Sequence, residues 1–266
     1  VGKGDKMNFV DLINRRLVEE EEKRQKAERT RKGHYPTSAS ILTSNGNVVG
    51  ECLLKIYRDW NGVKPTNPFA PDTLQKLAWG NLFHDWATTI LEKECLDGRL
   101  NKLERKVKFQ SKVDGLTYPI SGEIDNIVNG SVGLEIKTSY GKFFFSKDGL
   151  LNSGPKLMYL MQVLCYLQVR KDLEYFVMLF LARDIGFKVQ YNIYRDGTGI
   201  KTVRFNRGAK EEKKYPEITF ERIIARWQKL EEHLVAGKEP ERDYQYKTKY
   251  PCCYCIYHDM CYEKNG

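Results

Sequence analysis

The chain has 266 residues, 41% hydrophobic and 30% charged, enough apolar material for a packed core; whole-chain disorder, collagen and coiled-coil rods are excluded. It has no run of the ~18 apolar residues that a membrane helix needs, and Val1 to Asp11 carry no signal-peptide apolar core, so a cytoplasmic protein without a membrane partner is expected. Forty-four Lys and Arg against 35 Asp and Glu give a formal charge of +9, a surplus that suits a polyanionic partner and equally an ordinary basic protein.

In chain order, residues 9 to 32 have helical propensity, with a short apolar stripe (Phe9, Leu12, Ile13, Leu17, Val18) that predicts a helix docked at its start and solvated at its end. His34 to Gly50, rich in Ser, Thr, Asn and Gly, reads as loop. Helical spacing returns over Glu51–Trp60. After Pro65, Pro68 and Pro71 it resumes in a long helix over Asp72–Glu94, with Asp72 as N-cap. Three strands then fit a period of two: Glu104–Val113, Tyr118–Val128 and Val132–Thr138. A helix over Lys156–Arg170, strands over Leu173–Arg183 and Lys188–Tyr194, and a helix over Thr219–Ala236 follow, before a polar tail that ends in cysteines. This order predicts an α/β fold, a mixed central sheet flanked by helices. Residues 1–35 read as a charged helical extension and 36–266 as the main domain.

Glu135-Ile136-Lys137 is the first candidate site. On a strand Glu135 and Lys137 share a face while Ile136 points the other way. A carboxylate beside an ammonium can hold a divalent cation and stabilise charge developing on a substrate, although an isolated Glu-x-Lys is more often a surface ion pair. Asp125 changes that balance. Asn129-Gly130 marks a hairpin between its strand and the next. A two-residue loop would set apolar residues against charged ones, whereas a three-residue loop pairs Val128 with Val132 and Asn126 with Leu134. The same register puts Asp125 opposite Glu135 and Glu123 opposite Lys137, so an odd loop is expected.

Two further pairs lie one helical turn apart: Gly80 with His84, and Gln162 with Tyr166 among the apolar residues of the second helix. A Gln in such surroundings needs a polar partner, while a lone helical His is more often structural than a ligand.

Taken in order, Gly80…His84, Gly122-x-x-Asp125, Glu135-x-Lys137 and Gln162…Tyr166 resemble the motifs of the RecB-type PD-(D/E)XK nucleases over roughly residues 38 to 261. The resemblance implies that His84, Asp125 and Glu135, with the Ile136 carbonyl, hold Mg²⁺ or Mn²⁺. It further implies that Lys137 assists attack on a DNA phosphodiester and that Gln162 and Tyr166 orient the strand or the catalytic groups.

Of seven cysteines, Cys252, Cys253, Cys255 and Cys261 crowd the C-terminal end, while Cys52, Cys95 and Cys165 are scattered. Such clustering reads as metal binding in a reducing compartment. Cys252-x2-Cys255-x5-Cys261 supplies three soft ligands, and chemistry alone leaves zinc and an iron–sulfur cluster open, with Cys253 and His258 as spare donors. Cys52 is the candidate fourth ligand. One upstream Cys plus this C-terminal set resembles the iron-staple nucleases, such as the CRISPR-associated Cas-four exonucleases and the nuclease domain of the AddB subunit, although Leu53 stands where that family often has Pro. The resemblance implies a structural [4Fe–4S] cluster on Cys52, Cys252, Cys255 and Cys261, with zinc the less favoured occupant, joining the two chain ends. It implies an exonuclease acting on single-stranded DNA ends, with CRISPR-adaptation or recombination proteins as partners. The alternatives are a non-catalytic DNA-binding or assembly subunit and a phage recombination or repair nuclease. Cys95 and Cys165 read as buried thiols. Arg105, Lys106, Lys108 and Lys112 are candidates for a DNA path, or an edge strand's guard against aggregation.

Overall fold

The computed structural model describes residues 9–28, 33–206 and 209–262. Its elements in chain order are α1 (Phe9–Glu28), β1 (Ser40–Leu42), β2 (Val48–Gly50), α2 (Leu53–Trp60), α3 (Pro71–Leu96), β3 (Leu103–Ser111), β4 (Ile120–Val128), β5 (Val132–Ser139), α4 (Lys142–Phe145), α5 (Leu150–Ser153), α6 (Leu157–Val169), β6 (Tyr175–Ala182), β7 (Lys188–Asp196), β8 (Gly199–Asn206), β9 (Ala209–Thr219), α7 (Phe220–Ala236) and α8 (His258–Tyr262). The fold is mixed α/β: one seven-stranded sheet in the order β3-β4-β5-β6-β7-β8-β9, flanked by helices. Among the described strands of this sheet the β5–β6 pair alone is parallel. A parallel pair needs a crossover, and α6 supplies it. None of the helices described is long and apolar enough to cross a membrane.

The core has two main layers. On one face, α6 and α7 cover Ile120, Ile124, Ile127, Phe176, Met178 and Ile193. On the other, Ala87 and Leu91 of α3 cover Leu134, Ile136 and Leu181. α6 is buried from Leu160 to Leu167, as expected of a crossover helix with no face left for solvent.

Several expectations need correction. His34–Gly50 is not all loop: β1 and β2 form a small hairpin whose inner residue Ile41 is fully buried, an apolar anchor among polar neighbours. Asp72 is not the N-cap of α3. Pro71 takes the first helical position and Ala70 the cap, because a prolyl nitrogen suits a place where the N–H is unpaired anyway. Asp72 instead sits in the first turn, where the helix dipole favours a negative charge. α1 touches α3, but Leu12 and Ile13 are 43% and 58% exposed; the half-buried residues are Leu17 and Val18, so contact begins later than the apolar stripe does. Phe9, also in that stripe, has a side chain outside the described residues. Cys95 is half-exposed rather than buried, since it lies near the open end of α3. The antiparallel β8–β9 pair was not expected at all.

The segment before β1 is locked to the body. His34 bonds the backbone of Pro119 and Ser121 (2.9 and 2.8 Å), and its ring stacks on Trp227 at 5.0 Å. Its Nε2 lies 2.7 Å from Glu231 Oε1, and Glu231 also accepts from the amides of Thr117 and Tyr118. Nδ1 is buried without a partner. Burial pushes the His34 pKa down despite the Glu231 charge, so the folded state resists a proton that the unfolded chain would bind. The stability contributed is present above the unfolded His value of about 6.5 and is lost as pH falls, with a slope of up to ~1.4 kcal/mol per pH unit. Urea midpoints at pH 7.5 and 5.5 should therefore differ more for wild type than for His34→Gln. Equal differences would show that His34 does not carry the dependence.

Candidate active site and cysteine clasp

The site forms where the sheet opens. β4 and β5 pair only as Asn126–Leu134, Ile127–Gly133 and Val128–Val132, so the loop has three residues, 129 to 131, in the expected register. Asn129 and Gly130 both have positive φ, 52° and 78°. The ladder then stops short of the expected Asp125–Glu135 and Glu123–Lys137 pairs. In its place, Asp125 Oδ2 accepts the Ile136 amide at 2.9 Å: a side chain enters the fork and satisfies a backbone donor that the ladder leaves open. N–H and C=O of one residue point to the same strand edge, so the Ile136 carbonyl faces the same opening. Gly122 is needed earlier in β4, since a Cβ there would lie 2.9 Å from the Phe109 ring.

Glu135 and Lys137 project toward α6, with Lys137 Nζ 2.5 Å from Glu135 Oε1. Gln162 holds both: its Nε2 donates to Glu135 Oε1 at 3.0 Å and its Oε1 accepts from Lys137 at 3.2 Å. Gln162 Nε2 also lies 2.9 Å from the Tyr166 hydroxyl, which donates to the Glu123 carbonyl at 3.0 Å. Tyr159, which the sequence did not single out, lies under the ammonium, its ring centroid 4.8 Å from Nζ. The buried Gln thus finds the polar partners its surroundings demand. Tyr166→Phe removes one bond from each of Gln162 and the Glu123 carbonyl, and should lower stability by about 1–2 kcal/mol in urea titration; an unchanged midpoint would mean the hydroxyl is not part of the network.

From the opposite face α3 brings His84 to Asp125, Nδ1 to Oδ2 at 3.5 Å. Asn126 ties β4 to the same helix through Thr88, at 3.2 Å. Gly80 is not demanded by crowding, because a Cβ there would meet nothing nearer than Thr138 Oγ1 at 3.6 Å.

The electrostatics are those of a site with too much negative charge for its solvation. Burial raises the pKa of both Asp125 and Glu135, against the pull of the Ile136 amide and of Lys137 respectively. Burial alone would lower Lys137, but the charge and hydrogen bond of Glu135 outweigh it and Lys137 stands above its ordinary value. His84 is lowered by burial, which keeps its imidazole neutral as a metal ligand must be. Glu135 Oε2 is buried with no hydrogen-bond partner. An orphaned carboxylate oxygen and a second carboxylate are hard donors that fit Mg²⁺ or Mn²⁺, and the neutral imidazole is a borderline donor better suited to the second. As they stand, no three His, Cys, Asp or Glu side chains among the described residues are placed to share one ion.

The start of α2 and the C-terminal tail meet at a second place. Cys52, the N-cap residue of α2, lines one cavity of ≈ 260 Å³ with Cys252, Cys255 and Cys261. Cys253 is exposed and does not line it. Arg58 donates to Cys261 Sγ at 3.2 Å while clasping Glu239 with its other nitrogens, and the Tyr257 amide reaches Cys255 Sγ at 3.5 Å. Burial pushes Cys52 up and Cys255 up to about 11. His258 is engaged at both ring nitrogens, by Lys247 O at 2.8 Å and Asp259 Oδ1 at 3.0 Å, and so is not a spare donor in this conformation. Around the thiols the tail is bound to α2 and the loop after it: Tyr257 to Asp59 (2.8 Å) and Val63 O (3.0 Å), and the Ile256 carbonyl to the amides of Thr66 and Asn67.

No family model matches the sequence, and no curated protein matches it. A solved crystal structure of a protein called SSO0001 is similar along the whole chain, at 18% identity over 98% of this chain and 100% of that one, with a TM-score of 0.49.

Proposed function

We propose that the protein is a metal-dependent DNA nuclease of the RecB-type PD-(D/E)XK kind, an exonuclease acting on single-stranded ends. The observation that carries this reading is the orphaned, buried Glu135 oxygen beside Asp125, His84 and an ammonium fixed in place by Gln162 and Tyr159. His84, Asp125 and Glu135, with the Ile136 carbonyl, would hold Mg²⁺ or Mn²⁺. When bound, such an ion supplies Lewis-acid activation of water and of a phosphate oxygen. Lys137 supplies positive charge for the oxyanion that develops on phosphorus. Gln162 and Tyr166 keep the carboxylate and the ammonium aligned, so little reorganisation is left for the reaction itself.

Cys52, Cys252, Cys255 and Cys261 would hold a structural [4Fe–4S] cluster. The four residues line one cavity, which supports their acting together, and the preference for an iron–sulfur cluster over zinc rests on the cysteine spacing and the motif resemblance. A place in CRISPR adaptation or recombination, with partner proteins of those systems, is part of the same proposal and rests on the motif resemblance alone; a cytoplasmic location rests on the clustered cysteines, which read as metal ligands in a reducing compartment.

The test is cleavage of single-stranded DNA labelled at either end, with Mn²⁺, by protein purified without oxygen. Metal-dependent release of label supports the reading. No cutting by folded, brown protein would count against it and favour the assembly-subunit alternative.

A further inference from the structure

β3 and β4 turn over together at one point. On β4, Ile124 packs in the α6-side core, whereas Asn126, two residues on, bonds Thr88 of α3. On β3, Val107 packs on the α6 side, whereas Arg105 reaches Asp85 and Glu92 of α3 at 3.3 and 3.0 Å. Two residues apart on a regular strand means the same face, so both strands switch faces in between. The intervening residues are Lys106 and Asp125, which lie opposite each other in a register that pairs Arg105 with Asn126 and Val107 with Ile124. The switch on β3 is made by a left-handed residue: Lys106 has φ 48°. Among the described residues Asn129 is the other non-glycine with positive φ, and it sits in a turn where that is ordinary. A lysine in this conformation within a strand is strained, and glycine would adopt it freely.

Such strain tends to be kept where a particular side chain is needed. Lys106 is exposed, and the salt bridges among the described residues do not include it, whereas its neighbour Arg105 is spent on α3. Its charge nonetheless reaches the site, acting on both Asp125 and His84. We propose that Lys106 is a substrate-binding residue of the nuclease site: its ammonium holds a phosphate oxygen of the nucleic-acid strand next to the phosphodiester over Asp125. The proposal rests on the nuclease reading above and adds a second cation, on the far side of the fork from Lys137. The β3–β4 fold-over sets where that cation stands.

The experiment is fluorescence anisotropy with a labelled single-stranded oligonucleotide, without added divalent metal, across a range of salt concentrations. Lys106→Gln should weaken binding several-fold and reduce the salt slope of log K by about 0.7, one single-strand phosphate contact. Lys106→Arg should restore both. Lys106→Gly should bind as weakly as the Gln variant while melting no lower than wild type, which separates the charge from the backbone. If wild type binds and cuts DNA but Lys106→Gln matches its affinity and slope, Lys106 has no such role and the nuclease reading stands. Should wild type neither bind nor cut, the nuclease reading fails and this proposal falls with it.

Discussion

Lys137→Ala should lower the rate of Mn²⁺-dependent DNA cleavage by roughly 10²- to 10³-fold, the range for removing one preorganised group that stabilises transition-state charge. The structural consequence needs separating from the chemical one. The Glu135 side chain is 4% exposed and that of Lys137 20%, and breaking a buried pair by removing one partner costs about 3–5 kcal/mol when the other charge stays. Glu135 has an escape, because burial already raises its pKa and losing Lys137 removes the group that held it down. A carboxyl with a raised folded-state pKa binds protons more readily folded than unfolded. The variant should therefore gain stability relative to wild type as pH falls through that raised value. A double variant, Glu135→Gln with Lys137→Met, leaves no buried charge and keeps the volumes; it should fold at neutral pH and remain inactive. Cleavage at wild-type rates by Lys137→Ala would remove this lysine from the mechanism.

With the proposed [4Fe–4S] cluster in place, Cys255→Ser should lose its chromophore and lower the melting temperature by roughly 10–20 °C. Cys52 and Cys252 stand 200 residues apart in the chain. A link closing a loop of that length is worth about 5 kcal/mol in chain entropy, comparable with the ~5–15 kcal/mol that stabilises a whole domain. The loss should stop short of complete unfolding, because the tail is also held by Tyr257 on Asp59 and Val63, by Arg58 on Glu239, and by Asp243 on the Leu53 amide at 2.6 Å. Cys253→Ser is the control: an exposed thiol outside the cavity should leave iron content and melting temperature unchanged. Iron analysis and thermal melts of the two variants side by side decide it. Equal iron in Cys255→Ser and wild type would refute the clasp.

The sequence by itself determined whatever depends on local periodicity. Alternation located β3 to β7, helical spacing located α3, α6 and α7, and the clash of apolar with charged residues in a two-residue turn chose the three-residue loop at 129 to 131. It also put Glu135 and Lys137 on one face and paired Gln162 with Tyr166 one turn apart, because those relations are set within a single element. It missed β8 and β9, where Lys210-Glu-Glu-Lys-Lys214 faces solvent along an edge and carries no apolar alternation to read. Tertiary structure alone decided the rest. That Asp125 leaves the ladder to take the Ile136 amide, that two strands reverse at Lys106 and Asp125, and that Cys52 meets the tail depend on contacts between residues distant in sequence. Lys106 shows the limit most plainly: its left-handed backbone lies where β3 and β4 change faces between Arg105 and Val107 and between Asn126 and Ile124, and a lysine in an alternating strand gives no local sign of it.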